Sequence, residues 1–150
     1  MEMIDLVNVL NKQHANLEAY LEAIGLQKQA IINSNTAELE ATIKKQGELL
    51  HNIELLKKDM FNVIQDLSAK YSLEPSPSKL SEFVSSLEKK KIIRTEPLQK
   101  FQNSLKKLIT KIISANAQNK FLVEHSMNFI KETISALVGE NKQSLLDRKI

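Results

Sequence analysis

Among the side chains of this sequence, the histidines and their acidic neighbours are the best suited to hold a metal ion. Glu48 and His51 form a Glu-x-x-His motif, the spacing that carboxylate-bridged di-iron bundles use on two of their helices. The motif occurs once, without a second copy or the inward-facing glutamates that complete such a site. His14 and Glu18, four residues apart, suit a solvated pair on a helix surface. The sequence therefore predicts no metal site and no other cofactor.

The residues that usually act as catalytic nucleophiles are absent or lack the motif that would activate them. Cysteine is missing, which removes both a thiolate metal site and a cysteine nucleophile. Serine is common, but none lies in a nucleophile elbow. With only 3 glycines, the chain also lacks a Gly-rich loop that could hold a phosphate. No catalytic residue is assigned, and we predict that the protein is not an enzyme.

The scarcity of helix-breaking residues indicates an almost entirely helical chain. Only 3 glycines and 3 prolines occur among 150 residues, whereas 42% of the residues are apolar. The apolar residues recur at helical spacing, and one seven-residue series near the N-terminus consists of Met3, Leu10, Leu17, Ile24 and Ile31. We predict an all-α fold with three long antiparallel helices and a short connecting helix, packed as a coiled-coil-like helical bundle.

The few breakers and caps divide the chain into its predicted elements. Asn35 and Glu38 resemble a capping box, in which the Asn35 side chain accepts from a free N–H of the next helix. Glu74 precedes Pro75, which disfavours helical geometry and ends the second helix nearby. We predict a single helical domain over residues 1–150, with helices at about 4–33, 36–73, 78–90 and 96–138, a linker at 74–77 and a tail at 139–150 whose order the sequence leaves open.

Charge is distributed unevenly along the chain. Residues 1–78 carry 7 lysines and 11 acidic residues, whereas residues 79–150 carry 14 cationic and 7 acidic residues. Eight cations and a single acid, Glu96, lie between Lys89 and Lys111. Such a basic patch attracts nucleic acid or anionic lipid without specificity. Because no aromatic-rich surface is interleaved with these cations, we favour a solvated helix face whose positive charge balances the acidic residues of the first half. Nucleic acid is therefore not an expected partner.

The chain shows no targeting or membrane-spanning segment. Its first five residues, MEMID, are acidic where a signal peptide would be basic. The longest apolar runs are two or three residues, against about 20 for a transmembrane helix. We therefore expect a cytoplasmic protein that does not insert into a membrane.

The last helix carries more apolar surface than one supporting helix can cover. Its apolar residues spread around much of the circumference and include Phe121, Leu122, Val123, Met127, Phe129, Ile130, Ile134 and Leu137. Asn119, Ser126 and Thr133 form a polar series at seven-residue spacing. Two interpretations are open: the first two helices bury this surface, or it forms a groove-binding face for an amphipathic partner helix.

The order and spacing of several residues resemble the FlgN-type flagellar export chaperones. The last helix of that family carries an Asn, a Leu, a Ser and a Phe-Ile pair on successive turns, here Asn119, Leu122, Ser126, Phe129 and Ile130, followed by Leu137 and Gly139. The end of the first helix is similar at Tyr20, Leu21, Leu26, Lys28, Ala30, Ile31 and Ile32. The second helix continues the similarity at Asn35, Leu39, Glu48, Leu49, Leu50 and Ile53.

The resemblance implies a non-catalytic function in flagellar type III secretion. Such a chaperone binds the amphipathic terminal helices of hook-associated (hook-filament junction) proteins, prevents their premature polymerisation and delivers them to the export apparatus. The client-binding residues implied here are Leu122, Val123, Met127, Phe129, Ile130, Ile134 and Leu137. Family members often have a tyrosine near the C-terminus that is linked to the export gate. This sequence has none beyond Tyr71, so gate docking is assigned to Leu145 and Leu146.

Two other functions are consistent with the same residues. A self-associating coiled coil would pair the exposed stripe of the last helix with a second copy of the chain, which makes the protein a homo-oligomeric scaffold. A binder of nucleic acid or of a membrane surface would use the basic patch, and its affinity would fall steeply with salt.

Overall fold

A computed structural model describes residues 3–91 and 93–138 as four helices joined by three connections. The helices are α1 (Met3–Ile32), α2 (Thr36–Lys70), α3 (Leu80–Lys90) and α4 (Glu96–Val138). No strand occurs within the described residues. The prediction of an all-α bundle of three long helices with a short connecting helix is confirmed.

The central helix of the bundle is α1, because both α2 and α4 pack along it. Gln13 of α1 donates to the Ile53 carbonyl of α2 at 3.3 Å, and Gln46 of α2 donates to Gln27 at 3.0 Å, so these two helices run antiparallel. α4 returns beside α1 in the same direction as α1. The long helices therefore alternate in direction along the chain.

The core is formed by the apolar stripes that face α1 and by the short helix α3 at one end. Phe83 and Leu87 of α3 are fully buried, and α3 packs against both α2 and α4. Their core partners from the long helices include Leu6, Leu10, Leu17, Ile24, Ile64, Leu67, Leu98, Leu105 and Ile112. Because α3 covers only one end of the bundle, the described residues include no comparable helix over the opposite end, where α1 turns into α2.

Hydrogen bonds at the connections account for where the helices begin and end. Asn35 caps α2, and its Oδ1 accepts from the Glu38 N–H at 3.1 Å, as the sequence predicted. The structure ends α2 at Lys70, whereas the sequence extended it to Leu73. Ser72 has φ 52°, and the Leu73 N–H bonds back to the Ser68 carbonyl at 2.9 Å. This reversal closes the helix and turns Leu73 into the core.

Candidate binding surface

The packing of α4 on α1 stops well before α4 ends. The buried residues of α4 are Leu98, Leu105, Ile112 and Asn119, seven residues apart. Beyond Asn119, no described residue of α4 is buried. We call residues 120–138 the terminal segment of α4; at 1.5 Å per residue it is about 28 Å long.

The register of α4 on α1 explains why the terminal segment lacks a partner helix. His14 of α1 meets Ser104 of α4 at 2.9 Å, and Gln27 meets Asn119 at 3.1 Å, so the two helices advance side by side. α1 ends at Ile32, only five residues after Gln27. A groove lined by residues from α1, α2 and α4, including Ile31 and Val123, marks this end of the hairpin. The rest of α4 projects past the turn between α1 and α2.

The predicted client-binding residues lie on this projecting segment, and most of them are exposed. Phe129 is 65% exposed, Ile130 54% and Leu137 78%. Val123 is also exposed, whereas Leu122, Met127 and Ile134 are half-buried. The interpretation in which α1 and α2 bury all of this apolar surface is wrong, because α1 ends at Ile32, beside the start of the terminal segment. A contiguous set of exposed apolar side chains on one helix is typical of an interaction surface.

A partly buried polar layer joins the three long helices at the base of the terminal segment. The Asn119 Nδ2 group donates to the Ile24 carbonyl at 3.0 Å and to Gln27 Oε1 at 3.1 Å. Gln27 Oε1 also accepts from Gln46 Nε2 of α2 at 3.0 Å. Asn119 is 5% exposed, and its Oδ1 atom is buried without a hydrogen-bond partner in the structure. The layer fixes the register of all three helices just before α4 leaves the hairpin.

Sequence analysis did not assign the Asn119 layer a role, although the signal was present. Asn119 falls at a seven-residue position that is otherwise apolar in the first half of α4. A polar residue at such a position commonly fixes register at some cost in stability. The cross-helix bond of His14 was missed as well: its pair with Glu18 forms at 2.7 Å as predicted, but the other ring nitrogen meets Ser104. His14 therefore also ties α1 to α4.

The residues considered for metal binding do not come together. Glu48 and His51 are both exposed on α2. Across residues 3–91 and 93–138, no three histidine, aspartate or glutamate side chains are arranged to hold a metal ion. The predicted gate-docking residues Leu145 and Leu146 lie outside the described residues.

The basic patch is exposed along the outer face of α4 and the end of α3. Lys100, Lys107 and Lys111 are all exposed. Between Glu96 and Glu124, α4 carries no acidic residue. The patch is therefore a separate surface from the apolar terminal segment, on the part of α4 that packs against α1.

The sequence matches one protein-family model over almost its whole length. A family model described as FlgN protein matches residues 1–146, which includes all four helices. The chain belongs to the FlgN family. The FlgN family is the flagellar export chaperone family, which is not an enzyme family. A search of curated proteins and a search of solved structures each find no match.

Membership of the FlgN family implies binding of flagellar export substrates. The terminal segment of α4 lies entirely within the matched residues. None of the helices in the described part of the chain is long and apolar enough to cross a bilayer. Because FlgN proteins act by binding, an unpartnered apolar surface is the feature of this fold that most directly suits the family's function.

Proposed function

We propose that this protein is a non-enzymatic, cytoplasmic export chaperone for hook-filament junction proteins, which are the flagellar hook-associated proteins. It binds their amphipathic terminal helices, prevents their premature polymerisation and delivers them to the flagellar type III export apparatus. The observation that carries the proposal is the terminal segment of α4, whose apolar residues have no partner helix among residues 3–91 and 93–138. Docking at the export gate through Leu145 and Leu146 belongs to the same proposal.

The mechanism follows from the way α4 already packs in its first half. There, its apolar face is covered by α1, and along the terminal segment the client would provide the cover that α1 no longer supplies. Burying a Leu, Ile or Phe side chain contributes about 1.5–3 kcal/mol. Association costs on the order of 4–15 kcal/mol in lost freedom, so several such side chains must act together. The seven candidate residues supply enough apolar surface to bind a client helix and keep it from polymerising.

A matched pair of double variants tests the assignment. Ile130→Ala with Ile134→Ala removes two isoleucines four residues apart from the terminal segment. Ile109→Ala with Ile113→Ala removes two isoleucines at the same spacing from the part of α4 beside α1, where both are exposed. Isothermal titration calorimetry against a hook-filament junction protein from the same genome should show that the first variant binds roughly 100-fold or more weakly than the wild type. The second variant should bind like the wild type.

Circular dichroism accompanies the titration, since a loss of binding has meaning only if the helices remain. Both double variants should keep the helicity of the wild type. Equal affinities for the two variants would remove the terminal segment as the client surface. Unfolding of Ile130→Ala with Ile134→Ala would show that these residues are part of a core.

A second copy of the chain is the competing occupant of the same surface. Self-association would make the protein a coiled-coil scaffold, with the terminal segments of two copies paired. Light scattering over a range of concentrations separates the two functions. The chaperone proposal predicts that client addition yields a complex with one chaperone chain, whereas a tight dimer that the client cannot dissociate would favour the scaffold.

A further inference from the structure

The apolar residues of the terminal segment form two rows along the helix. Consecutive residues of an α-helix are rotated by about 100° around its axis. Leu122 and Phe129 define the first row, and their sequence neighbours Val123 and Ile130 define the second. Ala136 extends the first row, Leu137 extends the second, and Met127 and Ile134 widen the second row on the side away from the first. The two rows are therefore about 100° apart on the helix surface.

A polar row separates the two apolar rows. The seven-residue series of Leu98, Leu105, Ile112 and Asn119 continues at Ser126 and Thr133, and Asn119 is its last buried member. On a helix, Ser126 lies on the face between Phe129, three residues on, and Ile130, four residues on. Thr133 Oγ1 donates to the Phe129 carbonyl at 2.8 Å, so its hydroxyl group needs no partner from outside the helix. The middle of the exposed face is thus small and polar.

The same series is apolar where α4 packs on α1. Leu98, Leu105 and Ile112 occupy it in the first half of α4, and all three belong to the buried core. In that half, the residues that continue as the first row pack against the same core. In the terminal segment, a helix placed in the same way would cover the first row together with Ser126 and Thr133, and it would leave the second row without a partner. One helix therefore does not cover both apolar rows of the terminal segment.

We propose that the terminal segment binds two helices side by side, one on each apolar row. The first row continues Phe101, Leu108 and Ala115, which already pack against the core, so it extends an existing helix-packing face. Two neighbouring helices at about a right angle around a third are the arrangement found in four-helix bundles. The client, which rests here on the proposed function, would thus present a two-helix unit with an apolar stripe on each helix.

The experiment compares two kinds of probe from one hook-filament junction protein of the same genome. The first kind is a peptide with a single terminal helix, made for each of the two helices, and the second is a fragment that contains both terminal helices. Leu122→Ala with Phe129→Ala weakens the first row, and Val123→Ala with Ile130→Ala weakens the second. Each double variant should lower the affinity for the two-helix fragment by roughly 50-fold or more. Either single-helix peptide should bind more weakly and respond to only one of the variants.

The outcomes separate this inference from the proposed function. If one peptide binds as tightly as the two-helix fragment, or if either double variant binds the fragment like the wild type, the two-row inference is wrong and the chaperone proposal stands. If the wild type binds neither probe, the proposed function fails and the inference fails with it. Ile109→Ala with Ile113→Ala serves as the control, and circular dichroism shows that each variant retains its helices.

Discussion

Ile112 and Ile130 provide a direct test of where the core of this protein ends. They are 18 residues apart, which is about five helical turns, so both side chains leave α4 on the same side. Ile112 is 8% exposed and packs against the core, whereas Ile130 is 54% exposed beyond the end of α1. Truncation of a buried isoleucine to alanine costs about 2–5 kcal/mol. For Ile130→Ala, we expect a change within about 0.5 kcal/mol, because alanine also favours the helix slightly.

Urea unfolding followed by circular dichroism measures both changes in the absence of client. The midpoint should fall clearly for Ile112→Ala and stay near the wild-type value for Ile130→Ala, with the same slope in all three proteins. An equal slope shows that the variants expose the same surface on unfolding, so the midpoints can be compared. A loss for Ile130→Ala as large as that for Ile112→Ala would refute the reasoning, since the terminal segment would then be part of the core.

Two further predictions concern polar groups. Asn119→Asp places a carboxylate against the Ile24 carbonyl, and we expect urea unfolding at pH 7 to show a loss of at least about 3 kcal/mol. Burial should raise the pKa of the new carboxyl group, so the loss should shrink at pH 4, and an equal loss at both pH values would contradict this. The Ser78 N–H donates to Glu82 at 3.1 Å and holds the pKa of Glu82 below its ordinary value. The Glu82 carboxylate therefore stabilises the fold above its unfolded pKa, and this contribution is lost as pH falls through its folded pKa. Calorimetry should show a lower Tm for Glu82→Gln than for the wild type at pH 7 and equal Tm values in strong acid.

Much of the fold could be predicted from the sequence because its signals are local. The scarcity of glycine and proline and the seven-residue apolar series indicated long helices, and the Asn35 cap was found where the sequence placed it. The end of α2 was placed too late because Leu73 continues the apolar pattern whether or not it is helical. Its burial depends on the left-handed backbone at Ser72, and serine does not require that conformation.

The candidate site required information that a local pattern does not contain. The sequence showed an excess of apolar residues in α4, but both burial and exposure were consistent with it. The bonds from His14 to Ser104 and from Gln27 to Asn119 set how far α4 has advanced when α1 ends at Ile32. That register joins residues about 90 positions apart, so only the assembled helices reveal it. The assignment of the seven client-binding residues stays a prediction.

The central claim is that the terminal segment of α4 is the surface on which an export substrate docks. Hydrogen exchange of the backbone amides tests it most directly. Within the described part of the chain, no residue from 120 to 138 is buried, so these amides should exchange fast in the free protein. On addition of a hook-filament junction protein from the same genome, we predict slower exchange in residues 120–138 and unchanged exchange in residues 100–112. Slower exchange in the basic part of α4, with no change in the terminal segment, would contradict the claim.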